Sequence, residues 1–251
     1  MTKVDLNADM GESFGPWPMG NDAALLKIVT SANVACGWHA GDADTMAATM
    51  TLARDSGVNI GAHPGFADLQ GFGRRRIKLA PKELENLVIY QLGAAQATAS
   101  ALGTKLRHLK LHGALANMCA EDEDMAHAAY AAALKVDPDL TIMAIAATAQ
   151  ERAVRRLDCQ WVGEIFADRA YEDSGLLVDR SKEGAVIHDP TEASERVLKM
   201  VEDQAIYAQS GLKIPTKVDT ICLHGDGKTA VQIAQTLKDN LTRAGVEIRP
   251  F

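Results

Sequence analysis

Five segments of this chain end a short apolar run with a histidine or carboxylate beside glycine. The segments are VDLNADMGE (4–12), ANVACGWHAGD (32–42), VNIGAHPG (58–65), LKLHGAL (109–115) and TICLHGDG (220–227). Side chains at the carboxyl ends of parallel strands converge on one face of an α/β fold, where ligands bind. Asp5, Asp9, Glu12, His39, Asp42, His63, His112, His224 and Asp226 are therefore expected to share a cleft. Carboxylates and imidazoles gathered there suit general acid–base chemistry. The same donors suit a divalent metal, for which Asp9, His39, His63 and His112 are the candidates, although HExxH is absent and ligands from separate strands have no diagnostic spacing.

Asp9 and Glu12 lie three residues apart around Gly11, so both can point into one cleft, where mutual repulsion would raise one pKa toward a base's working range. Either alone would be an ordinary turn carboxylate. His63 precedes Pro64, which favours extended backbone and a strand-end position. One such histidine is usually a hydrogen-bonded core residue, but His39, His63, His112 and His224 repeat the pattern at four strand ends. Lys110 shares a strand face with His112, since side chains alternate. Pointed into the interior it is expected to be desolvated, with a lowered pKa, as an acid or substrate-anion ligand; pointed outward it would be merely solvated. Cys36, near His39 in an apolar strand, reads as a small buried hydrophobe and not as a nucleophile.

Anion recognition is expected from Gly71-Phe72-Gly73-Arg74-Arg75. Its glycines would let backbone amides approach a ligand, while Arg74 or Arg75 forms paired bonds to carboxylate or phosphate. Arg76 is assigned to solvent. Asn7, Asp42, Asp168, His224 and Asp226 complete the substrate-binding candidates. Asp168 falls just after the sixth strand, where it can orient a cleft histidine or hold Arg169 as an ion pair. Glu164 alternates with Phe166, so its direction depends on register.

Positioning these groups takes strands with helices between them. Strand-like runs at 3–8, 31–36, 58–62, 107–111, 140–146, 161–166 and 219–223 alternate with helical segments, which indicates an α/β chain with a parallel sheet. Asp42 is expected to cap a helix over 43–56, Pro81 to open 81–102, and Asp189-Pro190 to open 190–209 before Gly211. Residues 246–248 read as an eighth strand or a closing tail. The turn after the first strand, Asn7 to Glu12, does not match GxGxxG, and GxxxxGK[ST] is absent. A (βα)7-type barrel is therefore favoured over a doubly wound sheet, as a single domain over 1–251.

The 251 residues carry 26 basic against 33 acidic side chains, a formal charge of −7 that disfavours a nucleic-acid surface. No apolar run approaches the roughly 20 residues of a membrane span, and the first ten residues lack the apolar core of a secretory signal. Four scattered cysteines without a CxxC pair suggest no disulfide framework and fit a reducing, cytoplasmic setting.

The motifs DLNADMGESFG, SANVACGWHAGD, GAHPGFADLQGFGRR, LKLHGALANM, EIFADRAY, GAVIHD and CLHGD occur in an order that resembles the family of bacterial 5-oxoprolinase A subunits, also called LamB/YcsF, from Val4 to about Ala234. The resemblance implies a distorted, TIM-like (βα) barrel related to the glycoside hydrolase/deacetylase superfamily, which includes metal-dependent deacetylases. It implies ring opening of 5-oxo-L-proline (pyroglutamate) to L-glutamate coupled to ATP hydrolysis, with two partner subunits, B and C, supplying an activated substrate. ATP would then be a co-substrate used through the partners. Leu111 and Ala116 depart from the family's usual proline and tyrosine, which bears on substrate fit. Two other readings stand beside this one: a self-sufficient metal-dependent amidohydrolase or deacetylase, and a non-catalytic subunit that only binds 5-oxoproline. Self-association into a homo-oligomer is compatible with all three.

Overall fold

The structure, a computed structural model, describes residues 2–223 and 230–251. His224 and Asp226 lie outside the described residues. In chain order the elements are β1 (Lys3–Met10), α1 (Asp22–Leu25), β2 (Ser31–Ala35), α2 (Ala43–Asp55), β3 (Asn59–His63), α3 (Pro81–Ala101), β4 (His108–Lys110), α4 (Gly113–Glu121) and α5 (Glu123–Val136). They continue with β5 (Thr141–Ile145), α6 (Ala149–Leu157), β6 (Trp161–Phe166), α7 (Pro190–Asp203), β7 (Ala205–Tyr207), β8 (Lys213–Pro215), β9 (Thr220–Leu223), α8 (Ala230–Arg243) and β10 (Glu247–Ile248). The seven parallel strands β1 to β6 and β9 form one sheet, which closes because β9 pairs with both β6 and β1. Each corresponds to one of the apolar runs seen in the sequence.

Of the two readings of 246–248 the structure gives the eighth strand, a two-residue parallel one outside the closed ring of seven. β10 pairs with the first two residues of β1, Lys3 and Val4, while β9 takes Asp5 to Ala8. The expected caps are present: the Asp42 side chain accepts from Thr45 N, the Asp189 side chain accepts from Glu192 N, and Pro81 opens α3. One boundary differs from expectation, since α7 stops at Asp203 and not near 209. Gln204 is left-handed, with φ of 44°, and Ile206 and Tyr207 then pair with Ile214 and Lys213 in a hairpin whose turn holds Gly211. A β-branched and an aromatic residue favour that pairing over further helix.

Strand alternation sorts the side chains. Leu6, Ala8 and Met10 of β1, Ile60 of β3, Leu109 of β4 and Ile165 of β6 are buried in the apolar cluster shared with the helices. The opposite parity is polar: Asp5, Asn7 and Asp9 of β1, Ser31 and Asn33 of β2, His63 of β3, His108 and Lys110 of β4, Glu164 of β6 and Thr220 of β9, all buried. A seven-stranded barrel has room for little more than its own inward side chains. This one fills that space with hydrogen-bonding groups. Gly61 leaves the room they need, for a Cβ there would sit 2.2 Å from the His108 ring. Among the described residues no helix is long and apolar enough to cross a membrane.

Candidate active site

The barrel interior is layered from the amino to the carboxyl ends of the strands. Asp5 occupies the lowest layer, where its carboxylate accepts from the hydroxyls of Thr30, Ser31 and Thr220. This corrects the expectation that Asp5 shares the cleft, because it lies four residues before Asp9, nearer the amino end of β1. In the middle layer Asn7 Nδ2 donates to Thr220, and Asn33 Nδ2 donates to Asn7 Oδ1 at 2.8 Å and to Asp9 Oδ1 at 2.9 Å. His108 Nε2, 2.7 Å from Asn33 Oδ1, must be the donor there, since that oxygen can only accept. Burial first, then Lys110 and His63, pull the His108 pKa down to about 3, so it is a neutral imidazole.

Lys110 forms the centre of the upper layer and is 4% exposed. Its ammonium donates to Asp9 Oδ1 at 2.8 Å and to Cys222 Sγ at 2.9 Å, and it lies 2.9 Å from Glu164 Oε1. The inward orientation agrees with the alternation argument, but the expected pKa direction does not. Burial alone would lower it, yet the Asp9 and Glu164 carboxylates outweigh burial and hold the ammonium well above its ordinary range. Lys110 is therefore a fixed positive charge and a poor proton donor. Cys222 remains a thiol, because burial, Asp9 and Glu164 raise its pKa well above the usual value against the pull of Lys110.

Above this layer stand three histidines. His63 ends β3, and its Nδ1 lies 2.8 Å from the Lys110 carbonyl; His112 N-caps α4, and its Nε2 lies 2.8 Å from the Phe72 carbonyl. A carbonyl accepts only, so each of those nitrogens carries the proton in the neutral ring. The remaining nitrogens, His63 Nε2 and His112 Nδ1, then face one another at 3.0 Å with a lone pair on each. Asp9 Oδ2 is 3.3 Å from His63 Nε2. His39 is fully buried and stacks on His112, ring centroids 3.7 Å apart, and neither of its ring nitrogens has a hydrogen-bond partner among the described residues. Burial first, then His112 for His39 and His63 for His112, pushes the pKa of both rings well below the ordinary histidine range.

That donor set fits a divalent cation. Glu12, His39, His63 and His112 each offer an atom within 4.8 Å of the others, and two opposed lone pairs plus an unpartnered buried imidazole call for a positive centre between them. The grouping replaces Asp9, expected among the ligands, with Glu12; Asp9 is engaged by Lys110 and Asn33. Gly73, at φ of 62°, presses the loop onto the cluster, where a Cβ would meet His39 Cβ at 2.7 Å and His112 Cδ2 at 2.9 Å. The loop's glycines thus serve close packing, and its amides are engaged internally: Gly71 N donates to the Asp68 side chain and Gly73 N to the Asp68 carbonyl.

A cavity of about 390 Å³ opens onto the cluster, lined among others by Asp9, Glu12, His63, Lys110 and His112 and by Arg74, Arg76, Glu164 and Arg169. Leu111 and Ala116 line it too. Asn7 lies beneath it, and Asp42 is occupied as the cap of α2 while also accepting from Gly15 N at 2.7 Å. The two neighbouring arginines exchange the positions expected of them. Arg75 pairs with Asp68 away from the cavity, whereas Arg76 lines it, paired with Glu121 through both terminal nitrogens. Asp168 uses its carbonyl to accept from Ile187 N and is not among the cavity-lining residues. Sequence reasoning passed over Asn33 and His108 and gave Glu164 little weight. Their signal was present as polar residues in phase with Asp9 and Lys110 inside otherwise apolar runs.

The model of the LamB/YcsF family matches residues 4–251. A protein of Ruegeria pomeroyi named as the A subunit of 5-oxoprolinase is 65% identical over 251 residues, which is 100% of this chain and 99% of that one. A protein of the same name from Rhodopseudomonas palustris is 51% identical over 252 residues, again 100% and 99%. Among solved structures, the lactam utilization protein of Thermus thermophilus superposes with a TM-score of 0.93 at 41% identity, covering all of both chains. A family 4 carbohydrate esterase of Streptomyces lividans shares the fold alone, with a TM-score of 0.52 at 10% identity over 98% of this chain and 91% of that one. With the motifs, the closed parallel barrel and matches along its whole length in agreement, the chain belongs to the LamB/YcsF family.

Proposed function

We propose that this chain is a hydrolase that opens the lactam ring of 5-oxoproline to glutamate, acting over 1–251 as one barrel domain and as the A subunit of an ATP-dependent enzyme with partner subunits B and C. The observation that carries the reading is the cluster of Asp9, Lys110, His63 and His112 on the wall of one cavity. The names of the full-length relatives support the substrate. The four free thiols suit a cytoplasmic setting.

A lactam is a resonance-stabilised amide, so its hydrolysis needs an activated water, a cation for the tetrahedral oxyanion and a proton for the departing nitrogen. Lys110, held charged by Asp9 and Glu164 and fixed by a further bond to Cys222, suits stabilisation of the oxyanion. His63 offers a base at Nε2, with its ring oriented by the Lys110 carbonyl. Asp9 beside it stabilises the imidazolium that proton uptake creates. Phosphorylation of the amide oxygen by the partners would remove most of the resonance, and the chain's lack of a P-loop motif agrees with nucleotide handling elsewhere. With a divalent ion held by Glu12, His39, His63 and His112, the His63 Nε2 lone pair would be a ligand and no longer the base, and the ion would supply the Lewis acidity and water activation in its place.

That same donor set favours a second reading, a metal-dependent amidohydrolase or deacetylase that works alone. A third, in which the chain only binds 5-oxoproline for its partners, predicts that Asp9→Asn leaves turnover by the assembled complex intact. The test follows glutamate release from 5-oxoproline by the chain alone and with subunits B and C, with and without ATP, with metal measured on the same sample. Release only with partners and ATP supports the proposal. Release by the chain alone, stopped by chelator and indifferent to ATP, establishes the second reading in its place.

A further inference from the structure

Arg169 lies three residues beyond β6, is 4% exposed, and lines the cavity that His63, Lys110 and His112 also line. Burying a guanidinium is costly unless something compensates its charge. Among the described residues, Arg169 meets no carboxylate in its hydrogen bonds. Its Nη2 donates to the Val178 carbonyl at 2.6 Å and its Nε to the Ala185 carbonyl at 3.3 Å. Of the five N–H groups of an arginine these use two, leaving three on a residue that borders open space. The surrounding charge is mixed among the described residues, with Arg180 and Arg74 of its own sign and Asp168 and Asp179 opposed, none of them hydrogen-bonded to it. Burial first and then Arg180 pull its pKa down to about 10; Asp168 pushes back, and Arg74, another cavity residue, adds to the pull. A lysine in such a place could shed its proton, whereas an arginine stays charged.

Two carbonyls fix the plane of the guanidinium, as a site that recognises a planar or tetrahedral oxyanion requires. Arg76, on the same cavity, differs because both its terminal nitrogens are engaged by Glu121. We propose that Arg169 is the residue that recognises the charged group of the substrate, an oxyanion carried as carboxylate or phosphoryl, and so makes the cavity selective for anionic over neutral amides. The identity of the substrate rests on the hydrolase reading above; the oxyanion site does not. The carboxylate of 5-oxoproline and a phosphoryl group placed on its amide oxygen are the two sources of that chemistry.

The test is calorimetric titration of the full chain with three probes: 5-oxoproline, pyrrolidinone (the same ring without the carboxylate) and inorganic phosphate. The wild type is expected to take 5-oxoproline or phosphate and to bind pyrrolidinone more weakly. Arg169→Lys keeps the charge but loses the planar fork, and it should weaken anion binding roughly tenfold or more, with pyrrolidinone unaffected. Preference for phosphate over 5-oxoproline assigns the site to a phosphoryl group, and the reverse assigns it to the carboxylate. Arg169 also ties Val178 and Ala185 together, so limited proteolysis across 167–189 accompanies each variant, and Arg156→Gln on α6 serves as a distant charge control. Anion binding that is unchanged in a well-folded Arg169→Lys protein, or weakened equally by Arg156→Gln, overturns the inference. Arg169-dependent phosphate binding without any affinity for 5-oxoproline keeps the oxyanion site and removes the substrate reading. Turnover of 5-oxoproline with full indifference to Arg169→Lys does the opposite.

Discussion

Asp5 and Asp9 stand four residues apart on the same face of β1, both buried, and their surroundings differ in kind. Around Asp5 the partners are three neutral hydroxyls, those of Thr30, Ser31 and Thr220. Burial raises its pKa and the hydroxyls only partly oppose that, while Glu164 adds to the rise. Around Asp9 the partners are the Lys110 ammonium, the Asn33 amide and the His63 imidazole. The lower layer is a polar plug whose hydrogen bonds close on one another. The upper layer leaves lone pairs facing lone pairs and a buried imidazole without a partner among the described residues, an arrangement that a folded core does not need and a ligand can use. A buried carboxyl is common to both; what separates the plug from the candidate site is the unmet bonding capacity of the upper layer.

The largest effect should come from the group on which the upper layer depends. Lys110→Met leaves Asp9 and Glu164 buried without their shared cation, and breaking such a network costs about 3–5 kcal/mol. Turnover should fall by roughly 10²–10³ if the ammonium stabilises the oxyanion. Urea midpoints and initial rates measure the two losses. A Lys110→Met protein of wild-type stability would mean that the carboxylates take up protons at no cost, and the contrast with Asp5 would collapse.

An intermediate effect belongs to the seam between the layers. His108→Leu removes the donor to Asn33 Oδ1, leaves that oxygen unsatisfied at a cost of about 1–3 kcal/mol, and frees the amide that fixes Asp9. The rate should fall by about 10- to 100-fold, as for other groups that orient an active-site ligand, and His108→Gln should restore part of it. The pH dependence has a definite sign. With a folded pKa of about 3 against an ordinary 6.5, unfolding takes up a proton, so the stabilisation is complete above pH 6.5 and is lost as pH falls toward 3. Both variants should flatten that slope in urea melts recorded between about pH 7 and 4. An unchanged slope would remove His108 from the explanation.

The layered interior also explains how much was legible in the chain. Apolar runs and alternation located all seven staves, because each is a strand whose outward side packs on helices and so must be apolar. Capping residues located three helix starts for a similarly local reason. The end of α7 was missed because Gly211 is equally consistent with a helix stop and a hairpin turn, and only the pairing partner at Ile214 decides between them. Within the site, His63, His112, Asp9 and Lys110 were readable from position on their strands. The roles of Arg75 and Arg76 were not, since their directions depend on the loop over 66–76, where Phe72 is left-handed at φ of 54°. The Lys110 pKa reversed for a related reason: burial shows in the sequence pattern, but Glu164 reaches it from β6, more than fifty residues away in sequence.

Asp5→Asn should give the smallest change, and it sharpens the comparison because the same substitution at Asp9 is expected to abolish turnover. The hydroxyls of Thr30, Ser31 and Thr220 can turn to accept from the new amide, so at neutral pH the stability should move by less than about 1 kcal/mol and the rate by less than roughly threefold. A carboxyl whose folded pKa is raised stabilises the fold fully below its unfolded value near 3.8 and loses that contribution as pH rises through the folded value. The asparagine has no proton to lose. Its stability relative to wild type should therefore grow as pH is raised from about 4 to 7, whereas that of the His108 variants relative to wild type should shrink over the same range. Paired urea titrations at the two pH values measure this directly. A steep loss of turnover in Asp5→Asn with stability intact would show that protons or charge pass between the layers, and that the plug belongs to the catalytic apparatus after all.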